Sequence, residues 1–283
     1  MDRTINDGRT PLYIACQNGR VDAARLLLDK GAAVDRARKD GATPLYVACQ
    51  DGHVDAARLL LDKGAEVDRA TEDGATPLII ACDEGHVDVA RLLLDKDAEV
   101  DRANEWGGTP LYAACWKGHV DAARLLLDKG AEVDRANKYL NKFCVTPLHI
   151  ACQNGHVEAV RLLLDNGAAV DRVDRADKYG VTPLYIAKYQ GHSSIVALLE
   201  DHLYKADIDA TAPVATQTRG KNLANMMVDR LQSALDDEAA RKRQRLGPRA
   251  DMGRRLPRAG SDPRVAPAIR AAPAQIPEGT FVI

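Results

Sequence analysis

Aromatic residues are scarce here: they make up 4% of 283 residues, with two Phe and two Trp. So few rings leave little with which to line a roomy cofactor pocket, since such sites are built largely from apolar and aromatic side chains. Long apolar stretches are missing too. No run approaches the roughly 18 residues that would suggest a membrane span, and the N-terminal Met-Asp-Arg-Thr-Ile-Asn lacks the apolar core of a secretory leader. The expectation is a soluble intracellular protein without membrane contact, cytoplasmic or nuclear. No nucleophile stands with a base beside it, no metal-ligand cluster is spaced for coordination, and no Gly-rich phosphate loop occurs, so neither an enzyme nor a cofactor is expected.

Net charge is also small, −2, but it hides an uneven distribution. Residues 1–200 carry 25 basic and 31 acidic side chains, and residues 201–283 carry 14 and 10, so the first part is −6 and the second +4.

What is abundant is repetition. Thr-Pro-Leu begins at Thr10, Thr43, Thr76, Thr109, Thr146 and Thr182, at spacings of 33, 33, 33, 37 and 36. A fixed period in this range means stacked structural repeats. Thr43 is suited to cap a helix that opens at Pro44, whose missing N–H costs nothing at the first helical position. Gly52 stops that helix. A second follows with Asp55 in its first turn and Val54, Ala57, Leu60 and Leu61 at helical spacing, and Gly64 ends it. About 33 residues of paired helix cannot bury enough apolar surface alone. Neighbouring copies must supply the core.

At this point the chain resembles the ankyrin repeat family, through Gly74, Thr76-Pro77-Leu78, Ala81-Cys82, Gly85-His86, Leu93-Leu94 and Ala98-Glu99-Val100-Asp101. The resemblance spans residues 5 to about 203 in six copies. It implies an all-α solenoid of helix-turn-helix units with protruding β-turn fingers, which binds other proteins along its concave face. On this reading residues 1–204 form the array with the sixth repeat as a cap, 205–218 a linker, 219–246 one amphipathic helix, and 247–283 a disordered basic, Pro-rich tail. A monomer is expected.

Several features read as structural. Cys16, Cys49, Cys82, Cys115 and Cys152 share one repeat position; equivalent residues of stacked helices lie about 8–10 Å apart, too far for disulfides, so they read as buried packers. Cys144 falls outside that register. His53, His86, His119, His156 and His192 occur once per repeat and cannot converge on a metal; the resemblance assigns them to hydrogen bonds within the turn between helices. Asp35, Asp68, Asp101, Asp134 and Asp171, each followed by Arg, are expected to bond and neutralise between adjacent fingers. Asp55 with Arg58 and Asp88 with Arg91 are expected as weak i, i+3 pairs. Asp97 replaces the helix-ending Gly, at a cost near 1 kcal/mol. Ser193, Ser194 and Glu200 replace stacking residues, as a terminal repeat requires.

Positions that vary between otherwise copied repeats are those where stacking does not dictate the residue. Mapping fingers and first-helix ends gives an acidic stretch, Asp40, Asp51, Glu72, Asp73, Asp83 and Glu84, then an aromatic one, Trp106, Trp116, Lys117, Phe143, Tyr179 and Tyr189. Aromatics dominate interface hot spots and acidic neighbours attract basic partners. The expected partner is therefore a basic, partly apolar protein or peptide segment, with Arg entering near Trp106 or Trp116. Two other uses of the tryptophans stay open: covering the longer neighbouring finger, or caging a methylated Lys.

The tail has Arg241-Lys242-Arg243-Gln244-Arg245, and residues 241–270 hold ten basic residues against two Asp. Arg241, Lys242, Arg243 and Arg245 fit a nuclear import signal, a nucleic-acid contact, or a segment folding back on the acidic repeats. A solvated tail is the plain alternative. Residues 236–250 moved onto a fluorescent carrier should concentrate it in the nucleus, and an evenly distributed carrier would remove the import reading.

Overall fold

The computed structural model describes residues 4, 7–137, 145–170 and 182–210, with 206–210 as backbone. Among these, six helix pairs follow one another: α1 Pro11–Gln17 with α2 Val21–Asp29, α3 Pro44–Gln50 with α4 Val54–Asp62, α5 Pro77–Asp83 with α6 Val87–Asp95, α7 Pro110–Lys117 with α8 Val120–Asp128, α9 Pro147–Asn154 with α10 Val157–Asp165, and α11 Pro183–Gln190 with α12 Ser193–Ala210. No strand forms among the described residues; Asn137 and Val145 make one isolated antiparallel bridge at the base of the fifth finger, which the sequence shows to be lengthened. No helix among them is long and apolar enough to cross a membrane.

The first helices begin as their sequence dictates. Each Thr hydroxyl accepts the N–H three residues on, from Thr10 with Tyr13 at 3.1 Å to Thr182 with Tyr185 at 3.1 Å. First helices then stack on first helices in the order α1, α3, α5, α7, α9, α11, and second helices on second helices from α2 to α10. Between the two rows lies a core of small residues and Leu, such as Ala48, Cys49, Ala57 and Leu60, all essentially sealed from solvent. Burial pushes the Cys16 and Cys152 thiols up to about 12, and raises those of Cys49, Cys82 and Cys115 further, so these are packing groups and free. Cys144 lies outside the described residues.

Polar links between layers differ from the sequence expectation in three ways. The histidine bonds cross from layer to layer: Nε2 of His53 donates to the Gln17 carbonyl at 3.0 Å and that of His86 to Gln50 at 2.9 Å. The finger aspartates also cross, but to backbone. Asp68 accepts the Glu99 N–H at 3.1 Å and Asp101 the Glu132 N–H at 3.0 Å, while Arg69, Arg102 and Arg135 turn to Glu66, Glu99 and Glu132 of their own fingers. A fixed N–H is the better partner because the next layer already holds it in place. Third, along the second helices, the i, i+3 pair formed among the described residues is Glu158 with Arg161 at 3.6 Å, where the acid is one methylene longer than Asp55 or Asp88. The shorter acids lack that reach. Instead Lys63, Lys96 and Lys129 each pair with the Asp of the preceding layer, Asp29, Asp62 and Asp95.

Two compact units divide the described chain, the array through Val196 and a second beginning at Ala197. In the first, Ser193 and Ser194 are exposed, as a terminal layer needs. Within the second, α12 continues through Ala210, past the 204 at which the array was expected to end, with Lys205 paired to Asp201 at 2.6 Å. The remaining linker, the helix expected over 219–246 and the tail lie outside the described residues.

Asp97 has φ 62°, the left-handed conformation that Gly takes in its place elsewhere. Gly64 at φ +85° has nothing within 4 Å of where a Cβ would stand, whereas a Cβ on Gly85, φ +75°, would lie 2.6 Å from Nδ1 of His119. Gly64→Ala should therefore cost only the left-handed penalty, about 1–2 kcal/mol. Gly85→Ala should cost more, because it also displaces the interlayer histidine. Urea unfolding of both variants checks the order, and equal losses would show that the His119 ring moves aside freely.

Candidate partner-binding surface

Fingers and first-helix ends lie together at the edge of each layer, and their chemistry is set by which atoms the fold already uses. The second, third and fourth fingers close with a backbone bond, Arg38 N–H to the Ala42 carbonyl at 2.8 Å, Thr71 to Ala75 at 3.0 Å and Asn104 to Gly108 at 3.0 Å. The third and fourth also donate to the finger before them: Glu72 N–H bonds the Asp40 carbonyl at 2.9 Å and Glu105 N–H that of Asp73 at 3.0 Å.

Asp40 and Asp73, read from the sequence as surface acids, are bound into these turns. Asp40 pairs with Arg38 and accepts the Ala42 N–H at 3.2 Å; Asp73 accepts the Thr71 hydroxyl and the Ala75 N–H at 3.4 Å. In the fourth finger that task passes to Asn104, whose Oδ1 accepts Gly108 N–H at 2.8 Å and Trp106 N–H at 3.2 Å. Residue 106 occupies the register of Asp40 and Asp73 but no longer holds the turn with its side chain. A half-buried Trp sits there instead.

The same division of labour applies at the first-helix ends. Gln17, Gln50, Asp83, Trp116, Gln153 and Tyr189 share one register. The carbonyl of Trp116 accepts from His156 at 2.9 Å and from the Asn154 amide at 2.8 Å, and that of Gln153 from His192 at 3.1 Å. Backbone atoms carry these interlayer bonds, so the side chains are free to differ. Trp116 is half-buried with its ring tilted 49° to Tyr112 at 6.1 Å between centroids; Tyr189 stacks on Tyr185 at 6.3 Å. At the next position Asp51, Glu84 and Lys117 are exposed, as is Glu72 in its finger.

Asp83 departs from the sequence expectation of a surface acid. Its side chain is 2% exposed, although Gln17, Gln50 and Gln153 of the same register are only half-buried. The layer stacked on it sets bulky Trp116 at that register and Lys117 beside it. Oδ2 of Asp83 makes no hydrogen bond, and Nζ of Lys117 stands 3.8 Å away. Burial pushes the carboxyl up to about 7, with the Lys117 charge opposing that rise and Glu84 adding to it. Phe143, Tyr179, Arg241, Lys242, Arg243 and Arg245 lie outside the described residues.

Sequence reasoning missed Tyr13, Tyr46 and Arg38; Tyr fills that register in four of the six copies, as Tyr13, Tyr46, Tyr112 and Tyr185, and so reads as part of the common pattern. The Arg38 guanidinium lies 5.9 Å from the Tyr13 ring centroid, within cation–π range.

Residues 1–71, 66–137 and 135–212 match three copies of the family described as ankyrin repeats (3 copies). Among solved structures, the human ASB11 ankyrin repeat domain is similar, with TM-score 0.61 and 32% identity over 69% of this chain and 84% of that one. Comparison with curated proteins gives no match.

The buried Asp83 generates a pH dependence. Its folded-state pKa is raised above the unfolded value, so the folded chain holds a proton that the unfolded chain has lost, and stability falls as pH rises from about 4 to about 7. Asp83→Asn removes this penalty. Its advantage over the native chain should grow across that window to about 1–3 kcal/mol and then level off above pH 8, read from melting curves. A difference independent of pH would mean that Lys117 fully compensates the charge.

Proposed function

Because this chain belongs to the ankyrin repeat family, we propose that its array is a non-enzymatic scaffold or adaptor that takes a basic, partly apolar segment of a partner protein along its fingers and first-helix ends. The observation that carries the reading is the separation of duties at residues 106 and 116. Asn104 and the Trp116 carbonyl do the structural work there, yet both positions hold large rings that remain partly accessible.

Rings of that kind supply most of the binding energy at protein interfaces. Asp51, Glu72 and Glu84, exposed in the layers before them, supply negative potential that speeds encounter with a basic partner. Tyr185 and Tyr189 extend the aromatic character to the last layer. Lys117 beside Trp116 is the local exception in charge, and Asp83 beneath it partly offsets that charge.

Trp106→Ala combined with Trp116→Ala should weaken a partner recovered on the intact chain by at least about a hundredfold, the loss of two hot-spot side chains at about 1.4 kcal/mol or more each. Titration calorimetry measures it. Circular dichroism and melting temperature should stay close to those of the native chain. A collapse of the fold would show instead that the indoles are structural.

A further inference from the structure

Among the described residues Asp83 is the one carboxylate buried in the array. Its Oδ2 is closed to solvent and makes no hydrogen bond, while the ammonium of Lys117 stops at 3.8 Å and the Lys117 side chain is 43% exposed. A buried carboxylate without a hydrogen-bonded cation is costly, and a guanidinium, with its planar fork, satisfies both oxygens better than an ammonium does.

The array already shows how it seats such a group. In the second finger Arg38 lies over Tyr13 and pairs with Asp40. One repeat later, Tyr46 and Asp73 keep those two places, but Thr71 stands where Arg38 was. Burial first, and then the charges of Asp73, Asp40 and Asp83, raise the Tyr46 hydroxyl well above the ordinary range. In this repeat the acid of the finger keeps its place and the built-in arginine is gone.

We propose that Asp83 is the specificity residue of the binding surface, the anchor for one arginine side chain of the partner, and that Lys117 holds its place in the free protein. This rests on the reading that fingers and first-helix ends take a basic segment. Lys117 swings outward as the arginine enters, with half-buried Trp116 as its neighbour in the chain of the next layer. The charged and titratable groups around Asp83 include Tyr46 from α3, Cys82 and Glu84 on its own strip of chain, Cys115 and Lys117 from α7, and His119 of the following turn, whose ring lies against Gly85; α6 turns Asp88, Arg91 and Asp95 to solvent. Arginine binding needs the ionised carboxylate, so affinity rises with pH through about 7.

The test is selection of a random twelve-residue peptide library on the immobilised full chain at pH 8. The native chain should enrich peptides with arginine at a fixed distance from an apolar or aromatic residue. Those peptides should bind at least tenfold more weakly to Asp83→Asn, to the native chain at pH 5.5, and when the arginine is replaced by citrulline. Lys117→Met should bind them severalfold tighter. Asp83→Gln, the residue of the same register in other layers, replaces Asp83→Asn should that variant not fold. An arginine requirement that survives in both Asp83 variants, weaker binding by Lys117→Met, or enriched peptides without arginine would overturn the anchor. In each of those cases loss of binding in Trp116→Ala would leave the broader reading standing. Equal binding by native chain and double-Trp variant, or a library that yields no binder, would overturn the broader reading as well.

Discussion

Each layer of this protein depends on the layer before it to cover its apolar face. Leu26 in the first layer is 60% exposed, whereas Leu59, Leu92, Leu125 and Leu162, at the same register in later layers, are 5–6% exposed. The side chain is the same, and in α4 and α8 so is the whole helix sequence, VDAARLLLD. What differs is that a preceding pair of helices is stacked on the later ones, and removing that much apolar surface from water is worth about 1.5–3 kcal/mol per leucine. Stability is therefore a property of neighbours, and the array behaves as a nearly one-dimensional stack.

The demand for close stacking explains which residues are copied and which are released. Where layers meet, the sequence is held to Ala, Leu, Cys and Gly, and an imidazole from one turn lies against the glycine of the turn before. At the outer edge, the polar links are made by backbone carbonyls and N–H groups. A side chain at the register of Gln50, Asp83 and Trp116 can change without breaking a link, because its own carbonyl carries the bond. Recognition can diversify there at little cost to the fold.

Asp83 shows the limit of that freedom. Its position tolerates variation in general, but in this layer the side chain is covered by what stacks on it, and a charge that would be harmless at the surface is left without a hydrogen-bonded cation. Edge positions are independent of the core, yet not of the next layer's edge. Trp116 and Lys117 change the surroundings of a residue more than thirty positions earlier in the chain.

The period, the Thr-Pro helix starts, the paired helices, the buried cysteines and the left-handed Asp97 were all legible in the residues themselves, because each follows from local stereochemistry or from the spacing of apolar groups along one helix. The turn duties of Asp40 and Asp73 are local contacts two residues away within one finger, which became visible only once the turn geometry was known. The direction of the histidine and aspartate bonds, the burial of Asp83 and the seating of Arg38 over Tyr13 were decided only by stacking: each joins groups roughly 25 to 40 residues apart, and nothing local to either chain segment records the distance between them. The chain alone specified what a layer is; how one layer's edge meets the next was fixed when the layers closed against each other and excluded water between them.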